Sequence, residues 1–122
     1  MKLLVCGTRL PKKYRNQYAK LVVNYLTSLN YLKDISIIEG CCKDSADEFA
    51  EICASFFNIA IQHYPSKAKP LYRNIEMCGD CDEVVAFWDG YSYGTAHTIS
   101  TAIMLNKKVT IVKLDFKLNT EE

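Results

Sequence analysis

The chain lacks any long apolar run, any marked excess of charge and any internal repeat. Of its 122 residues, 15 are basic and 14 acidic, a formal charge of +1. Neither a nucleic-acid partner nor an anionic membrane is expected, because both ask for a basic excess or patch. The apolar runs are only a few residues long, too short to cross a bilayer. Met1–Cys6 is too short for a signal peptide and meets Gly7-Thr8-Arg9 at once. No linker or low-complexity block divides the chain. The reading is a soluble, cytoplasmic protein with no cofactor assigned. Apolar residues at 49% and charged residues at 24% are ordinary for a globular domain long enough to bury a core.

Cysteine is not scarce. Cys6 closes an apolar run and Cys53 lies on an apolar helix face, so both read as small buried hydrophobes. Cys78 and Cys81 have CxxC spacing, and Cys41-Cys42 could add two thiolates for zinc. Adjacent cysteines are poor co-ligands in a tetrahedral site, and no histidine lies near either pair in sequence. No metal site is assigned from the sequence.

β-forming runs alternate with amphipathic stretches throughout. Lys2–Cys6, Ile35–Ile38, Asn58–Tyr64, Val84–Phe87 and Lys108–Leu114 read as strands. Between Lys13 and Asn30, Tyr14, Tyr18, Leu21, Val22, Tyr25, Leu26 and Leu29 recur at helical spacing. Ser45-Ala-Asp-Glu48 has capping-box spacing ahead of Phe49, Ile52, Cys53, Phe56 and Phe57. Leu71–Met77 reads as a short helix ending near Gly79, and Thr95 to about Leu105 as the last. The pattern predicts a single α/β, Rossmann-like, doubly wound domain over residues 1–114. About five parallel strands carry helices on both faces, and 115–122 form a polar tail expected to fray. Tyrosine-rich apolar surface on the first helix leaves homo-oligomerisation open.

In such sheets the ligand lies beyond the carboxyl ends of the strands. There the sequence places Gly7-Thr8-Arg9, Glu39 to Ser45, Arg73-Asn74, and Trp88 to Thr95. Gly90 and Gly94 stand between a strand and a helix start, a plausible anion site or simply a turn that needs glycine. Arg9 reads as a solvated loop arginine or as a partner for phosphate or carboxylate. Arg73-Asn74 reads as a polar helix face or as a second cation with a base- or ribose-reading amide. Asp47 is a first-turn acid that could face the pocket. Ser92, Thr95 and Thr98 can cap a helix or bind phosphate oxygens, and Trp88 can be a core aromatic or a stacking face.

Gly7-Thr8-Arg9, the segment Ile37–Glu51 (IIEGCCKDSADEFAE), Arg73-Asn74 and the stretch AFWDGYSYGTAHTI (Ala86–Ile99) together resemble the SLOG superfamily. That Rossmann-like group contains the lonely-guy phosphoribohydrolases and the nucleotide-binding core of DNA-processing protein A. The small single-domain YspA-type branch is the most similar, and the resemblance covers about Lys2 to Lys113. It implies a nucleotide-type small molecule as ligand, bound by a sensor, carrier or sequestering protein, with phosphate on the segment Gly90–Thr95, which includes Ser92 and Gly94. Gly7, Thr8, Arg9, Gly40, Ser45, Asp47, Arg73 and Asn74 would complete the pocket, beside Trp88 and Asp89. The lonely-guy enzymes carry a catalytic glutamate in the helix that follows, where this chain has His97 and no glutamate. If the protein is an enzyme, the resemblance implies N-glycosidic hydrolysis or deoxyribosyl transfer on nucleotides, with Glu39 the nearest spare carboxylate.

Overall fold

A computed structural model describes residues 1–116. The expected tail therefore lies outside the described residues from position 117 onward. Five strands, β1 (Lys2–Gly7), β2 (Ser36–Glu39), β3 (Ile61–His63), β4 (Glu83–Trp88) and β5 (Lys108–Lys113), form one sheet in the order β3-β2-β1-β4-β5. Every neighbouring pair is parallel. The helices are α1 (Arg15–Thr27), α2 (Ala46–Phe56), α3 (Pro70–Asp80) and α4 (Tyr93–Met104). This is the single α/β, Rossmann-like domain that the alternation predicts.

The period of two along β1 explains the double winding. Leu3 and Val5 point to one face, where they join Tyr18, Val22 and Leu26 of α1 and Phe49, Ala50 and Cys53 of α2. Leu4 and Cys6 point to the other, against Met77 and Cys78 of α3 and Ile99 and Ala102 of α4. Leu4, Val5, Ile37, Ile38, Ala86 and Phe87 have no exposed surface. Such two-sided burial is what a central parallel strand requires. Cys78 and Cys81 lie in the second cluster, and all six cysteines are unbridged.

Several boundaries move, each for a local reason. The strand expected at Asn58–Tyr64 is only Ile61–His63, because Asn58 holds a left-handed φ of 56° and breaks the extended run. Helix α3 runs through Gly79, and α4 begins at Tyr93, so Gly94 is a helical residue rather than a loop residue. The capping box at Ser45 forms differently. Ser45 Oγ accepts from Asp47 N–H at 3.2 Å, while Glu48 Oε1 accepts from Asp44 N–H rather than from the N-cap. The apolar face expected from Ile52, Phe56 and Phe57 is largely solvent-exposed. Helix α2 instead buries Ala46, Ala50 and Ala54 around Phe49 and Cys53, small residues that let it lie close to the sheet. Helix α1 buries Tyr18, Val22 and Leu26 and leaves Leu21, Val23 and Tyr25 partly buried. No helix among the described residues is long and apolar enough to cross a membrane.

Candidate functional site

The strand order reverses between β1 and β4. The chain leaves β1 toward β2 on one side, and leaves β4 toward β5 on the other. Connections diverging at that point open a crevice above the strand ends, the usual ligand position in open α/β sheets. A cavity of about 400 Å³ lies there. It falls in the size range of small-molecule sites, roughly 300–1,000 Å³.

Of the expected ligand-binding residues, Gly7, Thr8, Arg9, Asp47, Arg73, Asn74, Ser92, Gly94 and Thr95 line this cavity. Four segments distant in sequence are thus brought together. Gly40, Ser45, Trp88, Asp89, Gly90 and Glu39 are not in its lining. A larger cavity of about 640 Å³ lies on the other side of the β4–α4 connection, between Leu10, Tyr14, Leu114 and Phe116, and Asp89 and Gly90 face that one. It is bounded by the last described residues and takes in only Asp89 to Tyr91 of the four converging segments, so the smaller cavity, where all four meet, is the candidate site.

The wall after β1 is held by a compact hydrogen-bond set. Thr8 Oγ1 lies 2.7 Å from Ser92 Oγ and 3.2 Å from Asp89 Oδ1, and it accepts from Asp89 N–H. Asp89 Oδ1 also accepts from the N–H groups of Tyr91 and Ser92 at 2.9 and 2.8 Å. Burial pushes the Asp89 carboxyl up, but the N–H groups of Ser92 and Tyr91 and the Thr8 hydroxyl outweigh it and hold the group below its usual value. Asp89 is therefore a turn-former that fixes the start of α4. Trp88, half-buried, donates from Nε1 to Ser92 O and packs on the α3–α4 core, and Gly90 supplies a φ of 89°.

Gly7 is required by packing. A Cβ there would lie 2.5 Å from Tyr18 Oη and 2.8 Å from Phe87 O. Tyr18 Oη donates to Thr8 O and accepts from Ala46 N–H, so one buried phenol joins the loop after β1 to the start of α2.

The wall after β2 carries the site's carboxylate. Asp47 Oδ2 accepts from Gly40 N–H and Cys42 N–H. Burial first, and the nearby Glu39 charge second, push the Asp47 pKa up to about 7. Those two N–H groups and the Arg73 guanidinium oppose the shift without cancelling it. Ser45 is an N-cap whose Oγ donates to Cys42 O. Gly40 leaves room for Arg73, since a Cβ would lie 2.5 Å from Arg73 Nη1.

Arg73 and Asn74 hold the wall formed by α3. Arg73 Nη1 donates to Gly40 O and to Tyr64 O, and Nε donates to Asn74 Oδ1. Asn74 Nδ2 donates to Gly94 O at 3.4 Å, tying α3 to the first turn of α4. Pro70, Arg73, Asn74 and Met77 line the cavity at helical i, i+3, i+4, i+7 spacing. That periodicity is the signal by which Pro70 and Met77 were recognisable. Cys42 and Cys6 also line it, and nothing in the sequence marks which way their thiols point.

Two cationic features face this space. The first bond of the α4 ladder is Ala96 N–H to Ser92 O, so the N–H groups of Tyr93, Gly94 and Thr95 precede it, at the positive end of the helix dipole. Arg9, exposed, reaches across from the β1 loop and donates from Nη2 to Cys42 Sγ at 3.1 Å. Glu39, in contrast, is wholly buried behind the wall, bonded to His63 Nδ1 and to Cys41 N–H. The carboxylate available to a ligand is Asp47. No protein-family model and no curated protein matches the chain.

Proposed function

We propose that the protein binds a nucleotide or nucleotide-derived ligand in the β1–β4 crevice, as a sensor, carrier or sequestering protein in the cytoplasm. One observation carries the reading: Arg9 and the opening turn of α4 face one 400 Å³ cavity at the strand-order switch. A phosphate there meets unpaired N–H groups, a positive dipole end and a guanidinium fork. The motif order shared with the SLOG superfamily supports the same ligand class and makes the chain a candidate member. The test is isothermal calorimetry with a panel of nucleoside mono-, di- and triphosphates. A wild-type protein that binds none of them ends the proposal.

A second reading, hydrolysis or transfer at an N-glycosidic bond, is favoured by Asp47. A cavity carboxyl titrating near neutrality suits a general acid or base. On this reading Asp47, not Glu39, carries the proton. Wild-type protein would release free base from nucleoside monophosphates, and Asp47→Asn would not.

A further inference from the structure

Behind the cavity wall, at the ends of β2 and β3, a mixed set of side chains meets. Glu39 and His63 are opposite partners in the parallel β2–β3 register, so both side chains leave the sheet on one face. Glu39 Oε2 and His63 Nδ1 lie 2.6 Å apart. Cys41, two residues past Glu39, has a left-handed φ of 63° that turns the chain back, and its Sγ lies 3.4 Å from the same oxygen. The three ligand atoms are all within 4.8 Å of one another. Glu51 on α2 brings Oε2 to 3.9 Å from His63 Nδ1.

We propose that Glu39, Cys41 and His63 form a zinc site, with the Glu51 carboxylate as fourth ligand.

The donor set selects the metal. A thiolate, an imidazole and carboxylates suit Zn²⁺, whereas Ca²⁺ and Mg²⁺ take oxygen alone and Cu⁺ takes soft ligands. Distances fit with a small adjustment. Tetrahedral bonds of about 2.0–2.3 Å place ligand atoms roughly 3.3–3.8 Å apart. The sulfur–oxygen separation is already there; the half-exposed Glu51 carboxylate, outside the cluster of three, has to swing in, and the His63 ring has to swing outward. It can, because it is 43% exposed at a strand end. Charge also fits. Glu39 and Asp47 are two buried carboxyl groups near each other, and the fixed cation beside them is Arg73. A divalent ion on Glu39 relieves that repulsion. Binding as a thiolate releases the Cys41 proton. The ion would brace the Gly40–Cys42 segment without entering the cavity.

The test uses the full chain, stripped with chelator and titrated with Co²⁺ and then Zn²⁺. Wild type is expected to show a near-ultraviolet thiolate-to-cobalt band and intense visible bands at one equivalent, both displaced by Zn²⁺. Cys41→Ser should abolish the ultraviolet band, and His63→Ala should weaken Zn²⁺ affinity by about 10–100-fold or more. Both positions are exposed, so circular dichroism should show intact folds. Cys42→Ser and Cys78→Ser should behave as wild type. The site is refuted by no thiolate band in wild type, by a band that survives Cys41→Ser, or by one lost in Cys42→Ser or Cys78→Ser.

Discussion

Arg9 Nη2 stands 3.1 Å from Cys42 Sγ, so the loop after β1 and the loop after β2 meet at the rim of the cavity through an exposed guanidinium. Arg73 is differently employed, its Nη1 tied to two backbone carbonyls. The two arginines therefore separate binding from stability. Arg9→Ala should weaken nucleotide binding by about 1.5–3 kcal/mol, the range for charge-assisted bonds, and leave the urea midpoint unmoved. Arg73→Ala should destabilise the fold by about 2 kcal/mol or more, because it orphans the carbonyls of Gly40 and Tyr64. Calorimetry and urea denaturation on both variants check this. Equal loss of stability in both would mean that Arg9 is also structural.

Two glycines divide in the same way. A Cβ at Gly7 collides with Tyr18 Oη and Phe87 O, whereas a Cβ at Gly94 meets nothing within 4 Å. Gly7→Ala should lower stability by about 1–3 kcal/mol through overpacking. Gly94→Ala should keep or slightly raise stability, by up to about 1 kcal/mol from helix propensity. It should nevertheless weaken binding, since the added methyl sits at the helix start where a phosphate would approach. Thermal melts and calorimetry of the pair distinguish packing from ligand access.

The Asp47 carboxyl gives the site a pH dependence. Its folded pKa, about 7, lies above the ordinary 3.8, so the folded protein binds the extra proton. That favours folding below pH 3.8–7 and is lost as pH rises through this window. Relative to wild type, Asp47→Asn should be more stable at pH 8 than at pH 4, in urea melts at both values. An anionic ligand should also bind wild type less tightly as pH rises through 7, because a charge then appears in the cavity. Asp47→Asn should flatten that slope.

Glu48 works in the opposite sense. Its hydrogen bonds from Arg15, and then from Asp44 N–H, hold its pKa down to about 2 against an ordinary 4.5. The stabilisation is present above pH 4.5 and fades as pH falls through 2. Glu48→Gln should therefore be less stable than wild type at pH 6, with the difference shrinking below pH 4.5. Urea midpoints at pH 6, 4 and 2.5 measure it.

Strand positions and the two-sided sheet were legible because Leu3 to Cys6 and Val84 to Phe87 are apolar on both parities, the mark of a buried parallel strand. The start of α4 was not. Ser92 makes no side-chain cap, and Gly94 in the first turn looks like a loop glycine until the backbone is seen. Strand-end logic brings Arg9, Asp47 and Thr95 to the right edge of the sheet, and the motif resemblance assigns them to the pocket. The same logic put Glu39 there, but side chains alternate along β2, and its register with His63 turns it behind the wall. The roles of Arg73 and Asn74 depend on partners far off in sequence, such as Gly40 O or Gly94 O. No local pattern carries such information. Phe56 and Phe57 misled because aromatic size suggests core, whereas close helix–sheet contact here needs alanine.

Thr8 and Ser92, whose hydroxyls touch, are 84 residues apart. The first three strands and two helices carry Arg9, Cys42 and Asp47, yet these face no opposing wall until β4 docks beside β1. Pairing at such sequence separation closes a long loop and is intrinsically slow. On the ribosome, the emerging chain would hold half a pocket until β4 and α4 had been made. Ligand capture is in that sense a late event in the molecule's assembly, and it reports that β4 has paired with β1.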